Sequence, residues 1–228
     1  MPHTKAQDQW TKATRAHGMS YPPEYVIRIF KGSYPRLDLD KSSFAGKKIC
    51  DVSCGEGRDL QLLKTCGFEV YGTEITDEMV EIIRENIADP DIGPHIQTGT
   101  NDSIPFADRF FDYLLSWNAC YYFGEYKDFD LHVREFARVM KPGGRLVLSI
   151  PKKTSFIYKG SETLKPGYQI IRNDPFTIRN GEVLRMFENE SEIETAFGDE
   201  FKDFIFGSIH DDCFGLDYHW HLIVCTKK

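Results

Sequence analysis

Two carboxylates and a glycine turn are the groups best placed for chemistry in this sequence of 228 residues. Asp51 sits near the end of an apolar run, Lys48-Ile49-Cys50-Asp51-Val52, and Ser53-Cys54-Gly55-Glu56-Gly57 follows as a tight turn. Glycine lacks a Cβ, so such a turn lets a ligand approach the main chain and tolerates positive φ. A helix starting at Arg58 adds free N–H groups and a partial positive charge. Glu74 ends a second run, where a carboxylate can accept two hydrogen bonds from ribose hydroxyls. Near the C terminus His210, Asp211, Asp212 and His219 are the candidates for catalysis, because an imidazole or carboxylate can take the proton of a hydroxyl acceptor. His219 and His221 share one strand face, and with Asp211 and Asp212 they offer metal-ligand types. No second element supplies a tight ligand spacing, so no metal is expected.

The elements that must position these groups follow from apolar periodicity. Leu60, Leu62 and Leu63 predict a helix over Arg58–Cys66, and residues 67–74 a strand. Thr76 and Asp77 open a helix to Ala88, and His95–Gly99 is a short strand. Phe110–Trp117 is an apolar run of the kind that a parallel sheet buries on both faces. Asp130–Met140 is a helix expected to turn Leu131, Phe136 and Val139 inward and His132 outward, and Arg145–Ile150 is the next strand. Strand–helix alternation predicts an α/β fold, a doubly wound and mostly parallel sheet. Ligands bind outside the carboxyl ends of such strands, which makes Ser116, Trp117, Asn118, Tyr121 and Tyr122 candidates. Upstream, residues 1–20 are polar apart from Trp10 and Met19, and Tyr21-Pro22-Pro23-Glu24 opens a helix with one apolar face. Downstream, Tyr168–Arg172 and Glu182–Phe187 read as a β-ribbon with an Asn180-Gly181 turn. Ser191–Phe197 is a helix with a capping box, Ser191 to Glu194. Phe201–Ile209 and Tyr218–Thr226 form a final hairpin, whose 210–217 loop should emerge at the carboxyl edge of the sheet, bringing its histidines and aspartates to the site.

Composition narrows the functional classes. Hydrophobic residues make up 41% and charged residues 28%, ordinary for a soluble globular chain. A formal charge of −7 argues against a broad nucleic-acid or membrane-binding face. The cysteines at 50, 54, 66, 120, 213 and 225 form no C-x-x-C pair and read as cytosolic thiols, so a cytoplasmic location is expected. A dinucleotide-binding turn needs a third glycine where Leu60 stands, and Asp51 suits a cationic ligand group better than a phosphate.

The pattern D-x-x-C-G-x-G over Asp51–Gly57 resembles the first motif of the class I S-adenosylmethionine-dependent methyltransferases, usually D-x-G-C-G-x-G, with Ser53 at the family's first glycine. Thr100–Phe106, TNDSIPF, resembles the third motif, commonly G-D-A-x-x-L-P-F, whose acid reaches the adenine amino group. Thr100-Asn101 replace Asp-Ala, which leaves that contact to Asn101, Asp102 or Ser103. Lys141-Pro142-Gly143-Gly144 before an apolar strand is a further shared feature. The resemblance covers about residues 44–150 and implies S-adenosylmethionine as cofactor. It places Asp51, Ser53, Cys54, Gly55, Gly57, Glu74, Ile75, Asn101, Asp102, Ser103, Ser116 and Trp117 around the cofactor. It also implies that residues 1–43 form a helical cap with Tyr21 or Trp10 near the ligand. Residues 151–190 would be an inserted ribbon on the acceptor side. Residues 191–228 would complete a seven-stranded sheet by an antiparallel hairpin. Tyr21, Asn118, Tyr121 and Tyr122 are then the substrate-side candidates. The expected activity is methyl transfer to a small polar molecule, a sugar or nucleotide-linked sugar hydroxyl foremost. A small-molecule N-methyltransferase and a non-catalytic S-adenosylmethionine-binding protein are the alternatives. Neither nucleic acid nor membrane is expected as a partner, and no oligomeric state is implied.

Overall fold

Apolar runs without a polar face must be buried on both sides, and the runs around Ile49, Leu114 and Leu148 form the centre of a sheet whose parallel body has five strands. The computed structural model describes residues 5–17, 21–123 and 128–228. Its first half contains α1 (Lys5–His17), α2 (Glu24–Lys31), β1 (Lys48–Val52), α3 (Arg58–Thr65), β2 (Glu69–Glu74), α4 (Asp77–Ile87), β3 (Ile96–Thr98) and β4 (Phe111–Ser116). Its second half contains β5 (Tyr122–Phe123), α5 (Asp130–Val139), β6 (Met140–Pro151), β7 (Glu162–Lys165), β8 (Tyr168–Ile170), β9 (Val183–Arg185), α6 (Glu190–Phe197), β10 (Phe201–Cys213) and β11 (Leu216–Lys227).

The main sheet has seven strands in the order β3-β2-β1-β4-β6-β11-β10. The first five run parallel; β11 is antiparallel to both β6 and β10. The chain builds outward from β1 through β2 to β3, then returns to lay β4 and β6 on the other side. With right-handed crossovers, this reversal puts α3 and α4 on one face and α5 on the other, and opens a crevice between the ends of β1 and β4. The core runs along both faces, through Ile49, Leu60, Leu63, Leu114, Leu146, Leu148 and Phe197, all fully buried. Among the described residues no helix is long and apolar enough to cross a membrane.

A second sheet, β5-β9-β8-β7, stands above the carboxyl edge of the first. Its β8 and β9 are the two arms of the expected ribbon. The outer strands, β7 and the two-residue β5, had no sequence signal long enough to read. The helix α1 lies within the segment expected to form a helical cap, where a polar sequence without an apolar stripe gives no signal for its bounds.

Three local expectations need correction. On α5 the inward residues are His132, Val133, Phe136, Ala137 and Val139, whereas Leu131 is exposed. Leu131 and Phe136 lie five residues apart, about 140° around the helix, and so cannot share a face; His132, Phe136 and Val139 can. The cap of α6 is Asn189, whose side chain accepts from Glu192 N, and Glu192 in turn accepts from Glu188 N, so the capping box lies two residues upstream of Ser191. In the terminal hairpin, antiparallel pairing continues to Cys213↔Leu216, leaving only Phe214-Gly215 as the turn.

The turn after β1 is left-handed at Ser53 (φ 57°), Gly55 (φ 61°) and Gly57 (φ 79°). A Cβ on Gly57 would lie 2.7 Å from Ile83 Cγ2 and 2.8 Å from Ile87 Cδ1, so this glycine lets α3 pack against α4. We expect Gly57→Ala to lower unfolding stability by about 3 kcal/mol, from overpacking plus the left-handed backbone. Ser53→Gly should raise it by about 0.5–1 kcal/mol. Chemical denaturation measures both, and equal midpoints for the two variants would mean that the turn carries no such constraint.

Candidate functional site

The crevice is organised by hydrogen bonds between the glycine turn and the end of β2. Ser53 N donates to Thr73 Oγ1 at 3.3 Å, Cys54 N to Thr73 O at 2.9 Å, and Gly55 N to Glu74 Oε1 at 2.8 Å. The other oxygen of Glu74 accepts from Ile75 N at 2.7 Å. A carboxylate oxygen has two lone pairs, so each keeps one for a ligand hydroxyl. Burial pushes the Glu74 carboxyl up to about 7, and the two backbone N–H groups partly oppose the shift.

Beside this carboxylate lies a cavity of about 580 Å³. Asp51 and Asp59 reach it from the end of β1 and the first turn of α3, and Asp51 Oδ2 and Asp59 Oδ1 are buried without a hydrogen-bond partner. Burial raises the Asp51 carboxyl well above its usual range, with the Asp59 charge adding to the shift; burial also brings Asp59 to about 6, opposed by Arg58. A Cβ built on Gly55 would meet nothing within 4 Å, so the main chain is open to a ligand there. Orphaned carboxylate oxygens, a bare backbone and a diol acceptor fit the ammonium, the sulfonium side and the ribose of S-adenosylmethionine.

Ile75, Met79, Thr100, Asn101 and Asp102 form part of the cavity wall. Asn101 is a clasp between loops: its amide donates to Ala119 O at 3.0 Å, and its oxygen accepts from Ser53 Oγ at 3.4 Å. Trp117 and Asn118 line the middle. Asn118 is left-handed (φ 57°) and locked to Ser149, donating N–H to Oγ at 2.7 Å and accepting from it at 2.9 Å.

One end is roofed by α1 and the second sheet. Trp10 meets Tyr122 edge to face, with centroids 5.7 Å apart, and Thr14 lines the same wall. Arg15 pairs with Glu78, tying α1 to α4. Because β5 pairs with β9, Tyr122 and Phe123 are held against the ribbon turn that delivers Ile178, Arg179 and Glu182. Arg179 Nε donates to Tyr122 Oη at 2.8 Å and Nη1 to the fully buried Asp174 at 2.9 Å. Burial lifts the Tyr122 hydroxyl to about 12, although Arg179 pulls the other way. His132 also lines the cavity, with Nδ1 at 2.9 Å from Cys120 O.

The cavity therefore gathers Asp51, Ser53, Cys54, Gly55, Glu74, Ile75, Asn101, Asp102, Trp117, Asn118 and Tyr122 of the expected residues. Others lie elsewhere. Gly57 faces Ile83 and Ile87; Ser103 is exposed and exchanges backbone hydrogen bonds with Thr100; Ser116 is buried beneath the cavity. Tyr121 is buried behind Tyr122, and Tyr21 is 92% exposed.

The hairpin candidates are corrected as a group. The hairpin does emerge at the carboxyl edge, but β11 stands three strands from β1, ~14 Å at normal strand spacing. Its polar residues fasten the hairpin itself. His210 Nε2 lies 2.8 Å from Lys152 Nζ and His219 Nδ1 3.0 Å from Thr154 Oγ1, while Asp211 accepts from Tyr25 Oη and Asp212 from Gly215 N. His221 is buried beside Glu190, and burial lowers its pKa to about 4. Among the described residues no cluster of three or more His, Cys, Asp or Glu side chains could hold a metal ion.

Sequence reasoning did not assign Arg58, Asp59, His132, Arg179 and Glu182 to the site. Correct phasing of α5 would have found His132; the ribbon turn carried no such signal. A second depression, of about 640 Å³, lies at the amino ends of β4 and β6 among Arg109, Arg138 and Pro142 and holds none of the glycine-turn residues.

Comparison with known proteins agrees with this geometry. Residues 50–148 match a methyltransferase domain family. The methyltransferase GfsG of Streptomyces halstedii is 30% identical over 125 residues, 54% of this chain and 42% of that protein. A probable tRNA methyltransferase 9B of Bos taurus is 28% identical over 151 residues, 66% of this chain and 31% of its own length. The chain thus spans less than half the length of these curated relatives. A methyltransferase solved with the Trm112 activator of Haloferax volcanii superposes with a TM-score of 0.68 at 19% identity, over 100% of this chain and 99% of that one. The sheet order, the Glu74-bound turn and the match over residues 50–148 make this chain similar to the class I S-adenosylmethionine-dependent methyltransferases, and the matched domain implies S-adenosylmethionine as cofactor.

Proposed function

We propose that the chain transfers a methyl group to a hydroxyl of a small polar acceptor of the sugar class. The observation that carries this reading is the cavity's second half, where Tyr122, Arg179, Glu182 and His132 converge beyond the cofactor residues under an aromatic roof. Rings stack on the apolar faces of a sugar, while fixed polar groups orient its hydroxyls. Carboxylates outnumber guanidiniums along the whole wall, which disfavours phosphate-bearing acceptors such as RNA or a nucleotide-linked sugar.

Bound S-adenosylmethionine supplies the activated methyl. The protein has to hold the acceptor oxygen in line and receive its proton. His132 suits the second task. Its ring is oriented by Nδ1, 2.9 Å from Cys120 O, and an imidazole is the side chain whose proton exchange falls nearest neutral pH. The anchored Tyr122–Arg179–Asp174 chain holds the acceptor wall rigid.

Two outcomes are expected. Ionised Glu74 accepts both ribose hydroxyls, whereas its protonated form loses acceptor capacity, so S-adenosylmethionine should bind about tenfold more tightly at pH 8 than at pH 6, with proton release. The sign for the cofactor-free fold is opposite: a carboxyl at about 7 in the folded chain and 4.5 when unfolded destabilises as pH rises through that window, because the unfolded state ionises first. Calorimetric titration of wild type and Glu74→Gln checks the binding part: the variant should bind at least tenfold more weakly with a flatter pH profile, and identical profiles would remove Glu74 from the ribose site. In assays of S-adenosylhomocysteine release with sugar acceptors, His132→Gln should lower kcat about 100-fold while leaving cofactor affinity unchanged. Unaltered kcat would mean that His132 takes no proton.

A further inference from the structure

Glu182 sits at the junction of the ribbon turn and β9, and its main chain is fixed on both sides. Its N–H donates to Arg179 O at 2.9 Å and its carbonyl accepts from Ile171 N at 2.9 Å. The next residue, Val183, pairs with Phe123 of β5. The side chain is half-buried, lines the acceptor end of the cavity, and makes no hydrogen bond or ion pair with any described residue. Other buried charges in this region are compensated. Arg179 is neutralised by Asp174 and bonded to Tyr122, and the unpaired oxygens of Asp51 and Asp59 lie at the cofactor end. Glu182 is the carboxylate left over.

We propose that the methyl acceptor carries a positively charged amine, which Glu182 holds against the rings of Tyr122 and Phe123. This rests on the methyltransferase reading and narrows its substrate class to amino sugars and amino alcohols. A half-buried carboxylate with no counter-charge is costly, and an ammonium offsets that cost by charge as well as by hydrogen bonding, whereas a neutral hydroxyl offers only the latter. Aromatic faces at the same wall attract a cation and give a neutral hydroxyl no comparable gain. Burial holds the Glu182 carboxyl above its usual range, the state of a carboxylate awaiting a partner. A phosphate or carboxylate in the same place would face Glu182 and the acidic cofactor end together.

The test uses the full chain loaded with S-adenosylhomocysteine and titrated calorimetrically with glucosamine, glucose and glucose 6-phosphate. Glucosamine is expected to bind at least tenfold more tightly than glucose, and the phosphate more weakly than either. Glu182→Gln should erase the preference for glucosamine while S-adenosylhomocysteine affinity stays unchanged and Tm does not fall. Equal binding of glucosamine and glucose, no binding of any of the three, or a preference that survives Glu182→Gln would overturn the inference. Loss of S-adenosylhomocysteine binding in wild type would instead bring down the cofactor reading, so the two failures are distinguishable.

Discussion

The contact on which the site depends is the hydrogen bond from Gly55 N to Glu74. It joins the turn after β1 to the tip of β2 through a carboxylate that is only 3% exposed. The bond does two things at once. It satisfies a backbone donor that a left-handed turn would otherwise leave unpaired, and it fixes the oxygen that a ribose must find. Preorganisation of this kind has an electrostatic cost, visible in a carboxyl raised to about 7. Asp51 and Asp59 show the same cost, with oxygens left unpaired a few residues away. A cationic, hydroxyl-bearing cofactor relieves all three carboxylates together, so cofactor binding and the stability of this corner are linked.

The acceptor half is built on different physics. Two residues of β5 leave the main sheet just after Asn118 and pair with a strand that arrives some sixty positions later. That pairing turns Tyr122 and Phe123 from loop residues into a wall, and Arg179, held by a buried aspartate, braces it from the ribbon side. Trp10 closes the remaining side from α1. In the proposed function, acceptor recognition rests on contacts among three separate parts of the chain, whereas cofactor recognition is built mainly from the consecutive strand–turn units of one half-sheet.

That difference explains how much was legible in the sequence. The glycine turn, Glu74 and the I-P-F segment are local: strand, turn and helix signals stand next to the residues they position, so residue type and spacing located them. The sheet was legible for the same reason, because apolar runs and helical periods alternate cleanly. Arg179 and Glu182 carried no such signal, since their role arises only when a turn of the ribbon is folded over a distant strand. His132 was legible in principle. Grouping Leu131 with Phe136 placed the helix's inward face on the wrong side and turned a cavity imidazole outward.

The hairpin histidines show a limit of the carboxyl-edge rule itself. The rule locates a ligand along the strand axis and says nothing about position across the sheet. His210 and His219 satisfy it, since their hairpin rises from the same edge as the glycine turn. Across the sheet they lie beyond β4 and β6, and there they bond to Lys152 and Thr154 of the segment after β6. The lateral coordinate comes from strand order, with the crevice at the point where the order reverses between β1 and β4. A residue near that reversal, such as Asn118, reaches the cavity with a short side chain. His210 and His219, tied to Lys152 and Thr154, are not among the residues that line it.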